Sequence, residues 1–234
     1  MLKSLAIPYE WKIINKFLEE VNCRNEISSV EFTIKDFNDT IKLEDTLEEF
    51  GLNSSDLVGK TLKFNTIYLF EFQKYLIYEP TFHFNKYRLI TLRDELYHNY
   101  SPFDIQKHRN YCRTKEQEAL KSGLKSEIWT LKEGEELLGT SEEAGYFGGK
   151  GSSGWKYIAI ANYLLDIYSY DKNFAFHRFS PFDTLMVDGK LIQFQTLLLS
   201  SEPKHKEAIQ KYMVRKLDIP VEKLESDVFI SNKP

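Results

Sequence analysis

The spacing of hydrophobic and polar residues in the first ninety positions switches between a helical period and the alternation of a strand. Trp11, Ile14 and Leu18 recur at helical spacing, which predicts a first helix. Pro8 suits the first turn of that helix, because the missing N–H has no partner to lose there. We predict, in chain order, a helix over 8–22, a strand over 27–34, an acidic helix over 43–50 closed by Gly51, one or two strands over 61–78 rich in aromatic and β-branched residues, and a strand over 87–92.

A polar segment follows this mixed α+β region. Residues 96–150 contain few apolar side chains, and the charged run within 113–125 is typical of a solvated helix or a connector. The tract 145–154 holds five of the 11 glycines, which predicts a mobile or specially folded loop. We therefore divide the chain into an N-terminal mixed region (1–95), a polar connector with a glycine-rich loop (96–150) and a C-terminal core (151–234).

The last third of the chain has the clearest pattern. Residues 155–169 have few purely polar faces, which predicts a long buried helix. Asp188-Gly189 is a two-residue turn of the type that needs positive φ, so it predicts a hairpin. The predicted elements are a helix over 155–169, strands over 174–179, 184–187 and 190–199 in one sheet, and an amphipathic helix over 205–217. The core therefore has the order α-β-β-β-α.

Composition limits the classes of function. The 234 residues carry 31 Lys and Arg against 35 Asp and Glu, a net charge of −4. A protein that coats nucleic acid non-specifically needs a basic surplus, whereas an enzyme with a local basic cleft does not. Two cysteines are too few for a disulfide framework or a cysteine-based zinc site. No apolar run is long enough to span a membrane, so we expect a soluble, cytoplasmic protein without membrane partners.

The most informative stretch for chemistry is 176–196. Asp183 opens a predicted strand, and Gln193 and Gln195 end the returning strand on one face, since side chains alternate along a strand. An acid beside two polar groups at a sheet edge could hold Mg²⁺ and orient a water molecule. Asp183 could equally cap a turn, with the two glutamines on the solvent face of an ordinary hairpin.

This stretch resembles the core of the PD-(D/E)xK nucleases, the superfamily of many restriction, homing and repair endonucleases. The resemblance covers 155–217, about a quarter of the chain, with Pro181-Phe182-Asp183 at the Pro-Asp motif and Gln193-Phe194-Gln195 at (D/E)-x-Lys. It implies an α+β protein with a C-terminal restriction-endonuclease-like core. The chain departs from the motif, because both glutamines are neutral and Asp183 is the one charged member.

The resemblance implies a metal-dependent endonuclease that hydrolyses phosphodiester bonds of double-stranded DNA. Such an enzyme could act as a homodimer. Asp183 and Gln193 would be the Mg²⁺ ligands, and Gln195 would orient the attacking water in place of lysine. The alternative is a non-catalytic interaction protein built on a degenerate nuclease fold, which the double glutamine favours.

Three further features carry candidate chemistry. Lys150 in the glycine-rich loop and Arg178 beside Asp183 are candidate phosphate ligands, although an arginine on a strand near a carboxylate is more often in an ion pair. The loop departs from the P-loop pattern, because Gly151 follows the lysine, so a DNA phosphate contact or a plain helix entry capped by Ser152 or Ser153 is favoured over nucleotide binding. His98, His108 and Cys112 fall short of a tetrahedral metal set and are expected to be exposed.

Overall fold

A computed structural model describes residues 9–20, 23–100, 103–123, 128–174 and 176–219. The strands are β1 (Asn25–Thr33), β2 (Thr61–Leu69), β3 (Lys74–Tyr78), β4 (Phe176–Phe179), β5 (Thr184–Val187) and β6 (Lys190–Gln193). The helices are α1 (Tyr9–Glu20), α2 (Ile41–Glu48), α3 (Lys86–Thr91), α4 (Leu96–Asn99), α5 (Ile105–Thr114), α6 (Glu116–Gly123), α7 (Lys132–Leu138), α8 (Ser153–Asp171), α9 (Phe194–Leu198) and α10 (Pro203–Lys216). The predicted α+β class is confirmed.

Four strands form one mixed sheet, in the order β1-β2-β3-β4, and β5 and β6 form a separate antiparallel pair. β2 and β3 are antiparallel, with Ile67 opposite Leu76. β3 and β4 are parallel, with Tyr75 opposite Phe176. Parallel neighbours need a long crossover connection, and the helical segment between β3 and β4 supplies it.

The described residues form two compact units. The first unit contains residues 30–64 and 80–174, and the second contains residues 9–29, 65–79 and 176–219. In the first unit, α8 is buried along nearly its whole length. The Asp166 carboxylate of α8 accepts hydrogen bonds from Arg88 Nη2 at 2.8 Å and from Tyr97 Oη at 2.6 Å. The charge that α8 carries into this core is therefore compensated.

In the second unit, side chains from the helices and strands hold the helix ends in place. Trp11 Nε1 of α1 donates to the carbonyl of Tyr78 at 3.1 Å. Lys74 Nζ of β3 donates to the carbonyl of Leu217 at 2.5 Å, just past the end of α10. A cation at that position is favourable, because the helix dipole is negative at its C-terminus. None of the helices in the described part of the chain has the length and apolar content needed to cross a bilayer.

Most of the predicted elements are confirmed. The buried helix predicted over 155–169 lies within α8, and the helix predicted over 205–217 corresponds to α10. Asp188 and Gly189 have φ values of 50° and 76°, so the hairpin turn adopts the predicted positive-φ conformation. Helix α1 matches the first predicted helix, although Pro8 and Asn22 at its predicted ends lie outside the described residues. The charged run within 113–125 is helical where α6 covers it.

The strand predicted over 87–92 is wrong, because this segment forms α3. The Asn85 side chain accepts hydrogen bonds from the backbone N–H groups of Tyr87 and Arg88 and so begins a helix. Tyr87 and Leu89 are buried in it. The apolar run was compatible with either structure, and the asparagine cap before it was the signal for a helix.

The strand predicted over 190–199 is only half right. It ends at Gln193, and Phe194–Leu198 form α9. Phe194, Leu197 and Leu198 are all buried, and their spacing of three and four residues is that of a helix face. The single predicted sheet is also wrong, because β4 belongs to the four-stranded sheet whereas β5 and β6 pair with each other.

Candidate functional site

Asp183 lies in the turn between β4 and β5 and is buried. The backbone N–H of Asp183 donates to the carbonyl of Ser180 at 3.1 Å, and the N–H of Ser180 donates to Asp183 Oδ2 at 3.2 Å. This reciprocal pair closes the turn that Pro181 begins. The side chain therefore has the turn-capping contact that aspartate commonly makes, in addition to any other role.

Two side chains of α10 reach the same carboxylate oxygen. Tyr212 Oη donates to Asp183 Oδ2 at 2.5 Å, and Lys216 Nζ donates to it at 2.9 Å. Lys216 Nζ also lies 3.0 Å from Tyr212 Oη. Tyr212 and Lys216 are four residues apart, so one face of α10 presents both. We call Asp183, Tyr212 and Lys216 the Asp183 cluster.

The Asp183 cluster lies at the edge of the protein interior. The Asp183 side chain is 2% exposed, whereas that of Lys216 is 26% exposed. Lys216 Nζ also lies 4.7 Å from the centre of the Phe179 ring, in a cation–π arrangement. The ammonium is thus attracted by a carboxylate and by an aromatic face, while part of its side chain remains in contact with water.

The structure brings the backbones of the two glutamines close to Asp183, but the Gln195 side chain contacts α1. Gln193 ends β6 opposite Thr184. The N–H of Phe194 donates to the carbonyl of Asp183 at 2.6 Å. Gln195 lies in α9, and its Nε2 donates to Glu10 Oε1 of α1 at 3.3 Å. The prediction that Gln193 and Gln195 share one strand face is therefore wrong, because the strand ends between them.

Tyr78 is a buried tyrosine whose pKa is affected by the carboxylates of Glu10 and Asp183. Burial, and then the charges of Glu10 and Asp183, raise the pKa of Tyr78 far above its ordinary range, so the phenol stays neutral. Tyr78 Oη has no hydrogen-bond partner among the described residues. Its ring lies 6.4 Å from that of Phe194, centre to centre, so the apolar packing of α9 accounts for its position.

Arg178 is buried and paired with Glu79, the residue that directly follows the neighbouring strand β3. Arg178 Nη1 lies 2.8 Å from Glu79 Oε1, and the two side chains are 0% and 1% exposed. The residues are 99 positions apart in sequence, and the parallel pairing of β3 with β4 brings them together. The guanidinium predicted to bind phosphate therefore neutralises a buried carboxylate.

His177, next to Arg178, faces cations. Its pKa is lowered from the ordinary value, first by burial and then by the charge of Lys74, with Lys216 adding to the effect. A hydrogen bond to the backbone of Lys216 and the charge of Asp218 act in the opposite direction. The ring is held neutral where β4 meets the end of α10.

The glycine-rich loop belongs to the first unit and leads into α8. The first backbone N–H groups of α8 already have hydrogen-bond acceptors within the protein. The N–H of Trp155 donates to Ser152 Oγ at 3.0 Å, that of Ser153 to Ser141 Oγ at 3.0 Å, and that of Gly154 to the carbonyl of Trp129 at 3.2 Å. The start of α8 therefore has the serine cap, not the open amides of a nucleotide-binding loop. The side chain of Lys150 in this loop is exposed.

The expectation for the histidine and cysteine group is wrong in part. His98 is exposed, but His108 and Cys112 are 3% and 2% exposed in α5. The His108 ring packs against Phe103 and Phe84, with centres 4.4 Å and 5.6 Å apart. His108 and Cys112 are four residues apart, so both lie on the inner face of α5. This spacing was the signal in the sequence that indicated their burial.

A Mg²⁺ ion at Asp183 Oδ2 would meet three donors that already contact this oxygen. A metal ion at Asp183 Oδ2 would compete with the Lys216 ammonium for the same oxygen, and the two glutamines can offer only neutral amide oxygens. Within the described ranges, no group of three or more histidine, cysteine, aspartate or glutamate side chains is placed to hold a metal ion.

The comparison with protein families identifies the chain. The family of unknown function DUF7255 matches residues 45–200, about two thirds of the sequence. The chain belongs to DUF7255. No curated protein and no solved structure is similar enough to the chain to match it.

The DUF7255 match includes Asp183 and both glutamines, whereas Tyr212 and Lys216 follow it in the sequence. These two side chains are the members of the cluster that sequence analysis missed. Their spacing of four residues on an amphipathic helix indicated a shared face. The sequence carried no signal that this face meets Asp183, because helix packing brings the three residues together.

Proposed function

We propose that this DUF7255 protein is a non-catalytic interaction protein built on a degenerate nuclease-like scaffold. The observation that carries the proposal is the saturation of Asp183 Oδ2 by Lys216, Tyr212 and the N–H of Ser180. A metal ion at this oxygen would have to displace the donors that contact it. Here the carboxylate joins α10 to the turn before the β5–β6 hairpin, which is a structural role.

The restriction-endonuclease-like core is part of this proposal. It is supported by the order of α8, β4 and the β5–β6 hairpin along the chain, with Asp183 directly before β5. It is also supported by the backbone hydrogen bonds from Phe194 and Gln195 to the segment 181–183, which bring the two motif stretches side by side. The short helix α9 and the separate pairing of β5 with β6 are departures from a core in one sheet.

An exposed apolar pair supports the interaction role. Met186 and Leu191 lie opposite each other on the β5–β6 hairpin and are 63% and 66% exposed. Opposite positions on neighbouring antiparallel strands lie side by side, and contiguous exposed apolar surface is typical of protein contacts. The partner we propose is a second copy of the chain, because two such hairpins can meet through identical patches about a twofold axis.

Sedimentation over a range of concentrations should give a dimer that dissociates more readily in Met186→Ser/Leu191→Ser than in the control Thr184→Ala.

A second candidate function, a Mg²⁺-dependent endonuclease acting on double-stranded DNA, is favoured by one observation. Lys216 Nζ lies 2.9 Å from Asp183 Oδ2, so an acid and a lysine are adjacent although residue 195 is glutamine. If DNA and metal displace this ion pair, Asp183 would ligate the metal with Gln193. Lys216 would then stabilise the charge that develops on the phosphate.

Cleavage of supercoiled plasmid DNA with Mg²⁺ or Mn²⁺ separates the two functions. The interaction role predicts that wild type cuts no more than Asp183→Asn and Lys216→Gln under either metal, at a temperature where circular dichroism shows all three folded. Metal-dependent cutting by wild type that both substitutions abolish would overturn this proposal and establish the endonuclease. The exposed Asp188→Asn is the matched control, since its carboxylate lies in the hairpin turn.

A further inference from the structure

Lys156, the fourth residue of α8, is a half-buried cation that has no counter-ion among the described residues. Among the described residues it makes no hydrogen bond and no ion pair, and its Nζ lies 5.6 Å from the centre of the Tyr87 ring. A partly buried charge normally has a partner of opposite sign, because desolvation disfavours the charged form. The Tyr87 ring compensates for only part of that loss.

A second lysine lies against the same ring. Lys86, the first residue of α3, has its Nζ 5.1 Å from the centre of the Tyr87 ring and 4.8 Å from that of Phe147. It donates to the carbonyl of Phe147 at 2.7 Å, which is a neutral acceptor. Burial, and then the charge of Lys86, lower the pKa of Lys156. Two ammonium groups therefore share one aromatic side chain and repel each other.

No carboxylate among the described residues forms an ion pair with either ammonium group. Glu116 Oε1 instead accepts a hydrogen bond from the backbone N–H of Lys86 at 2.7 Å, so its negative charge lies at the start of α3. Lys150, in the same loop as Phe147, adds an exposed cation. Tyr146, beside Phe147 in sequence, is 58% exposed and offers an aromatic face. The loop and the two helix starts together present cations and rings.

We propose that Lys86 and Lys156, which both lie near the Tyr87 ring, bind a phosphate group. Lysine binds phosphate as a point charge, and two lysines match the charge of a phosphate better than that of a single carboxylate. The ligand contacts are side-chain contacts, because the first amides of α8 already donate to Ser141, Ser152 and Trp129. The phosphate belongs to a small phosphorylated molecule or to a nucleic-acid backbone. This site lies in the first unit and does not depend on the role of Asp183.

Tryptophan fluorescence of the full chain reports on this site. The Phe147 ring lies 5.5 Å from that of Trp129 and 5.8 Å from that of Trp155, so a ligand at Lys86 should change their emission. Titration with inorganic phosphate should give a saturable change. Lys156→Gln and Lys86→Gln should each weaken binding about tenfold, the loss of one charge-assisted contact, while Lys156→Arg should retain binding. The control Lys132→Gln removes a lysine that is 85% exposed and should bind like wild type.

Each outcome decides the proposal or the source of the phosphate. No saturable change with phosphate, or equal affinity in wild type and Lys156→Gln while circular dichroism shows both folded, overturns the site. A parallel titration with oligothymidylate at two salt concentrations distinguishes the sources. Tighter, salt-sensitive binding that Lys156→Gln weakens assigns the phosphate to nucleic acid. Binding of phosphate without binding of the oligonucleotide assigns it to a small phosphorylated molecule.

Discussion

Lys216 Nζ lies 2.9 Å from Asp183 Oδ2, and this ion pair joins the last turn of α10 to the turn between β4 and β5. The carboxylate that the sequence marked as a metal ligand is thus paired within the protein. Buried carboxylates that are separated from their cation destabilise the fold more than exposed ones do. Because of this ion pair, the structural role of Asp183 can be measured as a change in stability, independently of any activity.

Asp183→Asn should lower the free energy of unfolding by about 2–4 kcal/mol, because it removes the charge that Lys216 and Tyr212 contact at a site only partly open to water. Urea denaturation measures the loss. Asp188→Asn is the control, since the Asp188 and Lys204 side chains are 69% and 53% exposed and their ion pair should contribute little to stability. Equal stability of the two variants would contradict the structural role.

The neutral state of His177 should make stability depend on pH. Its pKa is lowered from 6.5 by burial and by Lys74, so the unfolded chain binds this proton more tightly than the folded chain. The contribution is complete above pH 6.5 and is lost as the pH falls through the lower folded-state pKa. Urea denaturation over this range should show a smaller loss in His177→Gln than in wild type. An unchanged pH profile would rule out the effect, and the exposed His98→Gln should retain the wild-type profile.

Gly151→Ala should destabilise the first unit by about 2–4 kcal/mol, combining left-handed backbone with overpacking. Gly151 has a φ of 60°, and a Cβ there would lie 1.9 Å from Tyr87 Oη. Gly59→Ala is the control, because Gly59 has a φ of 76° with open space around it and should lose about 1–2 kcal/mol. Tyr87→Phe should recover part of the difference in the double variant, as thermal denaturation would show. Simple additivity would contradict the predicted clash.

The Glu79–Arg178 pair should show strong coupling. Glu79→Ala should cost about 3–5 kcal/mol, because it removes the carboxylate that Arg178 contacts in the interior. Glu79→Leu/Arg178→Met should cost less than the sum of its single substitutions, measured by urea denaturation in a double-mutant cycle. The exposed pair Glu207–Lys211, with side chains 64% and 72% exposed, should give coupling near zero. Equally weak coupling in both pairs would mean that Arg178 does not serve mainly to neutralise Glu79.

Local patterns determined the elements of this protein wherever one period dominated. The apolar residues of α8 and the Asp188-Gly189 turn identified a buried helix and a hairpin, because each pattern is compatible with one backbone conformation. Where an apolar run was short, as in 87–92 and 194–199, the run alone was compatible with a strand and with a helix. The Asn85 cap and the spacing of Phe194 and Leu197 indicated the helices.

The partners of the charged side chains were decided by tertiary structure. The sequence determined that Asp183 follows a Ser-Pro-Phe turn and that Tyr212 and Lys216 share a helix face. It did not determine that this face meets Asp183, or that Glu79 meets Arg178 across 99 residues. Ion pairs between distant segments depend on which elements pack together, and packing follows from burial of whole apolar faces. A local spacing rule therefore predicts which side chains share a face, whereas the fold determines what that face contacts.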